Sequence, residues 1–126
     1  MVLHKMESHD MASVLVVDDD PAITDMLARV LTHAGHTVQT ASDGLAALRC
    51  LTNQLYDVLI TDLTMPGLTG QELVRIVVKQ RTARSVLVIT GSAVDTETAA
   101  LADEVLPKPF TMRQLSAALI AALEAS

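Results

Sequence analysis

The stretch DVLITDLTMPGLTG, residues 57–70, decides how the rest of the chain is read. Val58-Leu59-Ile60 is a short apolar run, largely β-branched and of the length of a buried strand. It stops at Asp62, a Met-Pro-Gly turn follows, and a helix signal begins at Thr69. A carboxylate at the mouth of a buried strand, followed by a tight loop, stands where open α/β sheets place their chemistry. By itself Asp62 reads equally well as a solvated loop acid, so the decision rests on what the other strand ends carry.

Upstream, Ser13–Val17 is an apolar strand run that closes on Asp18-Asp19-Asp20. Pro21 then opens a helix, with Asp20 as its N-cap and nothing lost by a proline at the first helical position. Ile23, Met26, Leu27, Val30 and Leu31 share one helical face. Gly35 is placed to end that helix as a left-handed residue just past its C-terminus. His36–Thr40 reads as a second, weaker strand. Ser42 is expected to cap a second helix that buries Leu45, Leu48 and Leu51.

Downstream, Thr69 and Glu72 have the spacing of a capping box, and Leu73, Ile76 and Val77 then face a core. Val86–Ile89 is a fourth strand ending at Thr90-Gly91, and Val94–Ala102 is a short, alanine-rich helix. Glu104–Leu106 is a brief fifth strand leading into Pro107-Lys108-Pro109-Phe110. Thr111 and Gln114 form a second capping box before a last helix that buries Leu115, Ala118, Leu119 and Ala122. Strands and helices thus alternate, and near-continuous apolar strands imply a parallel sheet covered on both faces. Right-handed crossovers leave few topologies. The reading is an α/β, flavodoxin-like, doubly wound five-stranded parallel sheet in the order 2-1-3-4-5, with five helices.

Composition narrows the function. The 126 residues are half hydrophobic, which fits one folded domain over residues 13–126, with residues 1–12 read as a mobile N-terminal tail. A net charge of −6 without a Lys/Arg cluster argues against direct nucleic-acid binding, and the length leaves no room for a separate DNA-binding domain. The single Cys50 cannot form an internal disulfide, as expected of a cytoplasmic protein. No apolar run approaches the roughly 18 residues of a membrane span, and residues 1–12 lack the apolar centre of a secretion signal.

The strand ends carry the chemistry. Strand one delivers Asp18 and Asp19, strand three Asp62, strand four Thr90 and strand five Lys108. Strands one and three are neighbours at the switch point of the 2-1-3-4-5 order, so the three carboxylates converge. Each carboxylate pair at ~4 Å costs roughly 4 kcal/mol at an effective dielectric near 20. A hard cation relieves this, and an all-oxygen, water-retaining site suits Mg²⁺. A carboxylate, a Mg²⁺, a lysine and a hydroxyl make a phosphoryl-transfer site in which Asp62 is the nucleophile and the cations answer the charge on the transferred group. Asp20 is left as a cap with no chemistry.

With these residues in place, the sequence resembles a receiver domain of two-component response regulators over about residues 13–124. The carrying motifs are VLVVDDDPAI at 14–23, DVLITDLTMPGLTG at 57–70, VLVITG at 86–91 and LPKPF at 106–110. The resemblance implies a signalling module rather than an enzyme, with Asp62 taking a phosphoryl group from a phosphohistidine on a sensor kinase or phosphotransfer protein. It implies Mg²⁺ held by Asp19, Asp62 and the backbone carbonyl of Thr64, with Asp18 supporting through water. It implies that Thr90 and Lys108 bind the phosphoryl group and that Lys108-Pro109 is cis. Two positions depart from the pattern: Val105 stands where receivers carry an aromatic switch residue, and the span from Thr90 to Lys108 is about one helical turn of 3.6 residues short. Both fall on the face of the fourth helix, fifth strand and fifth helix. They favour a monomer that stores or passes phosphoryl groups, or that contacts partners through its first helix.

Two other classes compete. A haloacid dehalogenase-type Mg²⁺ phosphatase also uses an Asp nucleophile, but needs a second Asp two residues on, where this chain has Thr64. A degenerate, unphosphorylated interaction module usually lacks one of the five site residues, and this chain keeps them all. A flavin carrier lacks support, since no phosphate-cradling loop is evident. His4, His9, His33 and His36 sit in no phosphodonor motif.

Overall fold

A computed structural model describes residues 12–125. The strands are β1 (Ser13–Val17), β2 (Thr37–Ala41), β3 (Tyr56–Thr61), β4 (Ala83–Thr90) and β5 (Glu104–Pro107). They alternate with α1 (Pro21–His33), α2 (Gly44–Asn53), α3 (Gly70–Gln80), α4 (Thr96–Leu101) and α5 (Met112–Ala125). All strand pairs are parallel and the order is β2-β1-β3-β4-β5, the order expected from the sequence.

Two apolar layers hold the sheet. On one face Val14, Val16, Val58, Ile60, Leu87 and Ile89 pack with Leu27 and Leu31 of α1 and Leu115 and Leu119 of α5. On the other, Leu15, Val17, Leu59, Val86 and Val88 pack with Ala47 and Leu51 of α2 and Leu73, Val74 and Val77 of α3. Successive strand residues point to opposite faces, so a strand buried on both sides must be apolar at every step. That is why β1, β3 and β4 read as unbroken runs.

Helix ends follow local chemistry. Asp20 caps α1 by accepting from the Ala22 N–H at 3.0 Å. Thr69 and Glu72 form the expected capping box on α3. At the second box the Thr111 N–H donates to Gln114 Oε1 at 2.8 Å, and the Gln114 N–H donates to Thr111 Oγ1 at 3.1 Å.

Several boundaries differ from the sequence reading. β2 begins at Thr37, because the His36 N–H is used to close α1 on the Leu31 carbonyl at 3.0 Å, with Gly35 left-handed at φ 106°. Asp43, not Ser42, caps α2, its carboxylate accepting from the Ala46 N–H at 2.8 Å. With the helix starting at Gly44, Ala47 and Leu51 turn inward and Leu45 is left 60% exposed, correcting its expected burial. Val74 joins Leu73 and Val77 in the core, while Ile76 is only half-buried. α4 is shorter than the expected 94–102, since Asp95 caps it by accepting from the Thr98 N–H at 3.1 Å. Of the expected tail, residues 1–11 lie outside the described residues. Ala12, just ahead of β1, packs into the core: it is buried, and its carbonyl accepts from the Thr37 N–H at 3.0 Å.

Candidate functional site

The pairing of β1 with β3 sets Val17 opposite Thr61, and the Asp62 N–H donates to the Val17 carbonyl at 3.1 Å. One step beyond, Asp18 and Asp62 stand side by side at the carboxyl end of the sheet, where β1 passes to its neighbours on both sides. β4 and β5 close the other flank through the Lys108 N–H, which donates to the Thr90 carbonyl at 2.9 Å. Asp18 and Asp62 are buried, at 3% and 8% exposure, and Asp19 is exposed. One oxygen from each of Asp18, Asp19 and Asp62 lies within 4.8 Å of the other two. The convergence expected of the strand ends is therefore what the fold produces.

Lys108 is the centre of charge compensation. Its Nζ donates to Asp18 Oδ2 at 3.1 Å and to Asp62 Oδ2 at 3.2 Å. The remaining oxygens face backbone donors. Asp18 Oδ1 accepts from the Asp20 N–H at 2.9 Å, and Asp62 Oδ1 accepts from the N–H groups of Leu63 at 2.7 Å and Thr64 at 3.3 Å.

Burial pushes the Asp18 carboxyl above the ordinary range. The Asp20 N–H and Lys108 oppose that push, and the neighbouring Asp62 charge adds to it. Burial pulls the Lys108 ammonium the other way, but hydrogen bonds and attraction from Asp18 and Asp62 prevail and raise it. The lysine gains and the aspartate loses at one contact because Lys108 answers to two carboxylates, whereas Asp18 is buried beside a second anion.

The hydroxyls form the rim. Thr90 is buried, and its Oγ1 accepts from the Ser92 N–H at 3.2 Å and lies 3.1 Å from Ser92 Oγ. Ser92 Oγ stands 3.5 Å from Thr64 Oγ1, long for a hydroxyl pair, so the loops after β3 and β4 touch at these two side chains. Thr64 and Ser92 are exposed. Lys108-Pro109 is cis. Val105 lies on the edge strand β5, 37% exposed. The Asp20 side chain caps α1, as read from the sequence, and its N–H orients Asp18. That N–H, and those of Leu63 and Thr64 on Asp62, had no sequence signal, since every residue but proline carries the same donor.

A 2-1-3-4-5 sheet with paired acids at the β1–β3 mouth and a lysine leaving β5 defines a two-component receiver module. The model of the response regulator receiver domain family matches residues 14–120, and the chain belongs to that family. Among curated proteins it is 40% identical over 110 residues to the transcriptional regulatory protein TcrA of Mycobacterium tuberculosis, covering 84% of this chain and 44% of TcrA. The chain thus spans under half the length of that relative. Among solved structures it is similar to the chemotaxis response regulator CheY4 of Vibrio cholerae, with 35% identity and a TM-score of 0.81 over 89% of this chain and 98% of that one. It is also similar to the response regulator TrrA of Thermotoga maritima, solved in complex with Mg²⁺ and BeF, with 31% identity and a TM-score of 0.78 over 85% and 95% of the two chains. No helix among the described residues is long and apolar enough to cross a membrane.

Proposed function

We propose that Asp62 accepts a phosphoryl group from a phosphohistidine on a partner kinase or phosphotransfer protein, in a Mg²⁺-dependent reaction, and that this modification controls the signalling output of the domain. The observation that carries the reading is the buried Asp62 carboxylate with Lys108 Nζ at 3.2 Å and the oxygens of Asp18 and Asp19 within 4.8 Å.

The donor set fits a hard divalent cation. Among the described residues three carboxylates converge beside one lysine, and the donor atoms are all oxygens. Asp19, Asp62 and the Thr64 carbonyl would hold the ion, with Asp18 behind them. When bound, the ion supplies positive charge to the oxygens of the phosphoryl group as it moves.

The chain's own residues do the rest. The backbone N–H groups of Leu63 and Thr64 hold Asp62 Oδ1, which leaves Oδ2, facing Lys108, to attack. The new bond joins that oxygen to phosphorus. The phosphorus–nitrogen bond of the donor breaks, and its electron pair returns to the imidazole, which takes up a proton. Lys108 and the Thr90 hydroxyl bind the oxygens of the transferred group. Burial of Asp18 and Asp62 strengthens each of these interactions by keeping bulk water away.

The acidic balance of this domain makes its own surface a better match to protein than to nucleic acid. The test is intact mass after incubation with Mg²⁺ and acetyl phosphate. Wild type should gain one phosphoryl mass and Asp62→Asn none; equal labelling of that variant would sink the assignment.

A further inference from the structure

Gly70, the first residue of α3, is buried. The left-handed glycines among the described residues are Gly35 and Gly67, so backbone conformation does not explain a glycine at position 70. Space does. A Cβ on Gly70 would fall inside the contact distance of the Asp62 carbonyl oxygen and 2.5 Å from Leu63 Cα. Both obstacles are backbone atoms, which cannot swing aside as the end of a side chain would. The approach is also bonded, since the Gly70 N–H donates to the Leu63 carbonyl at 3.0 Å.

The crowded oxygen belongs to the peptide that aims Asp62. The Asp62 carbonyl and the Leu63 N–H share one rigid plane. At one end the oxygen accepts from Thr61 Oγ1 at 2.8 Å, and at the other the N–H donates to Asp62 Oδ1 at 2.7 Å. Displacing the oxygen tilts the donor, and the carboxylate turns with it. We propose that Gly70 is a positioning residue for Asp62: by letting the first turn of α3 close on the Asp62–Leu63 peptide, it sets the direction in which the carboxylate points. The catalytic half of this inference rests on the reading of Asp62 as phosphoacceptor; the geometric half does not.

The test compares wild type, Gly70→Ala and Gly44→Ala. Gly44 is a second crowded glycine, less tightly enclosed than Gly70: a Cβ there would meet Leu68 Cβ at 2.7 Å and the Leu68 carbonyl oxygen at 2.8 Å, away from the Asp62 peptide. One readout is the Leu63 amide resonance; the other is the labelling rate constant at saturating acetyl phosphate and Mg²⁺, separated from the half-saturating donor concentration. Gly70→Ala should move the Leu63 amide and slow labelling about tenfold or more, with little change in half-saturation. Gly44→Ala should lose stability yet leave the Leu63 amide and the rate constant unchanged.

A folded Gly70→Ala with the wild-type Leu63 amide overturns the proposal, as does a Gly44→Ala that reproduces both effects. If Gly70→Ala does not fold, Thr61→Val decides, because it releases the same carbonyl without adding bulk. A shifted Leu63 amide then supports the proposal and an unshifted one overturns it. If wild type takes up no phosphoryl group while Gly70→Ala still moves the Leu63 amide, the positioning role stands and the phosphoacceptor reading alone falls.

Discussion

Replacing Lys108 with methionine removes the cation that, alone among the described residues, bridges Asp18 and Asp62, while keeping most of the side-chain volume. The lost contacts are at 3.1 Å and 3.2 Å. Removing one partner of a buried ion pair costs about 3–5 kcal/mol. The Lys108 side chain keeps 24% of its exposure, and that screening lowers the expected loss to about 2–3 kcal/mol. For a domain of this size the melting temperature should fall by roughly 6–15 °C.

The loss should depend on pH in a definite direction. The Asp18 carboxyl is already raised by burial, with Lys108 among the groups holding it down. Without Lys108 it rises further. An acid whose folded pKa exceeds its unfolded one stabilises fully below the unfolded value and loses that contribution as pH rises through the folded value. The Lys108→Met deficit should therefore be largest at neutral pH and shrink as pH falls toward the ordinary carboxylate range. Millimolar Mg²⁺ should shrink it as well, by restoring positive charge. Urea unfolding followed by circular dichroism, at neutral and acidic pH with and without Mg²⁺, reads all of this. A deficit identical under every condition would show that Lys108 acts through the packing of its methylene stem, and the charge argument would fail.

Three further outcomes are expected. Saturating Mg²⁺, at 100 times its dissociation constant, should stabilise wild type by about 2.7 kcal/mol, and Asp19→Ala should bind the ion more weakly by calorimetry; a melting temperature indifferent to Mg²⁺ would count against a preformed site. Thr64→Asn should change the lifetime of the phosphorylated form, because Thr64 and Ser92 rim the site and neither carries a carboxylate or amide to orient water; an unaltered decay constant would refute that role. Glu72, held below the ordinary carboxylate range first by the Thr69 N–H and then by its hydroxyl, contributes stability that is present at neutral pH and lost as pH falls through its lowered pKa. Glu72→Gln keeps the capping box without the titration, so the stability difference from wild type should fade in acid, and a constant difference would exclude the charged contribution.

What could be read from the chain alone was whatever is set within a few residues. Two-sided burial demands an apolar residue at every strand step, so β1, β3 and β4 were visible as runs. A cap must reach the third residue of its helix, so Thr69–Glu72 and Thr111–Gln114 were visible as spacings. Asp18, Asp19, Asp62, Thr90 and Lys108 were legible because each stands at the carboxyl end of an apolar strand run, and connection rules leave few strand orders. Only the tertiary structure could decide what depends on atoms far apart in sequence. Asp57 accepts from the Ser13 N–H at 2.7 Å, and Asp103 from the Val86 N–H at 2.7 Å. Asp57 clasps the start of β1 and Asp103 the body of β4, yet in sequence they look no different from solvated acids. Asp43 displaced Ser42 as the cap of α2, and Leu45 went outward, because that cap fixes the rotation of the whole helix. The aim of Asp62 depends on backbone N–H groups and on bare space at Gly70. A hydrophobic pattern records which side of an element is buried; the direction of a backbone donor and the gap between two backbones exist only once the chain has closed on itself.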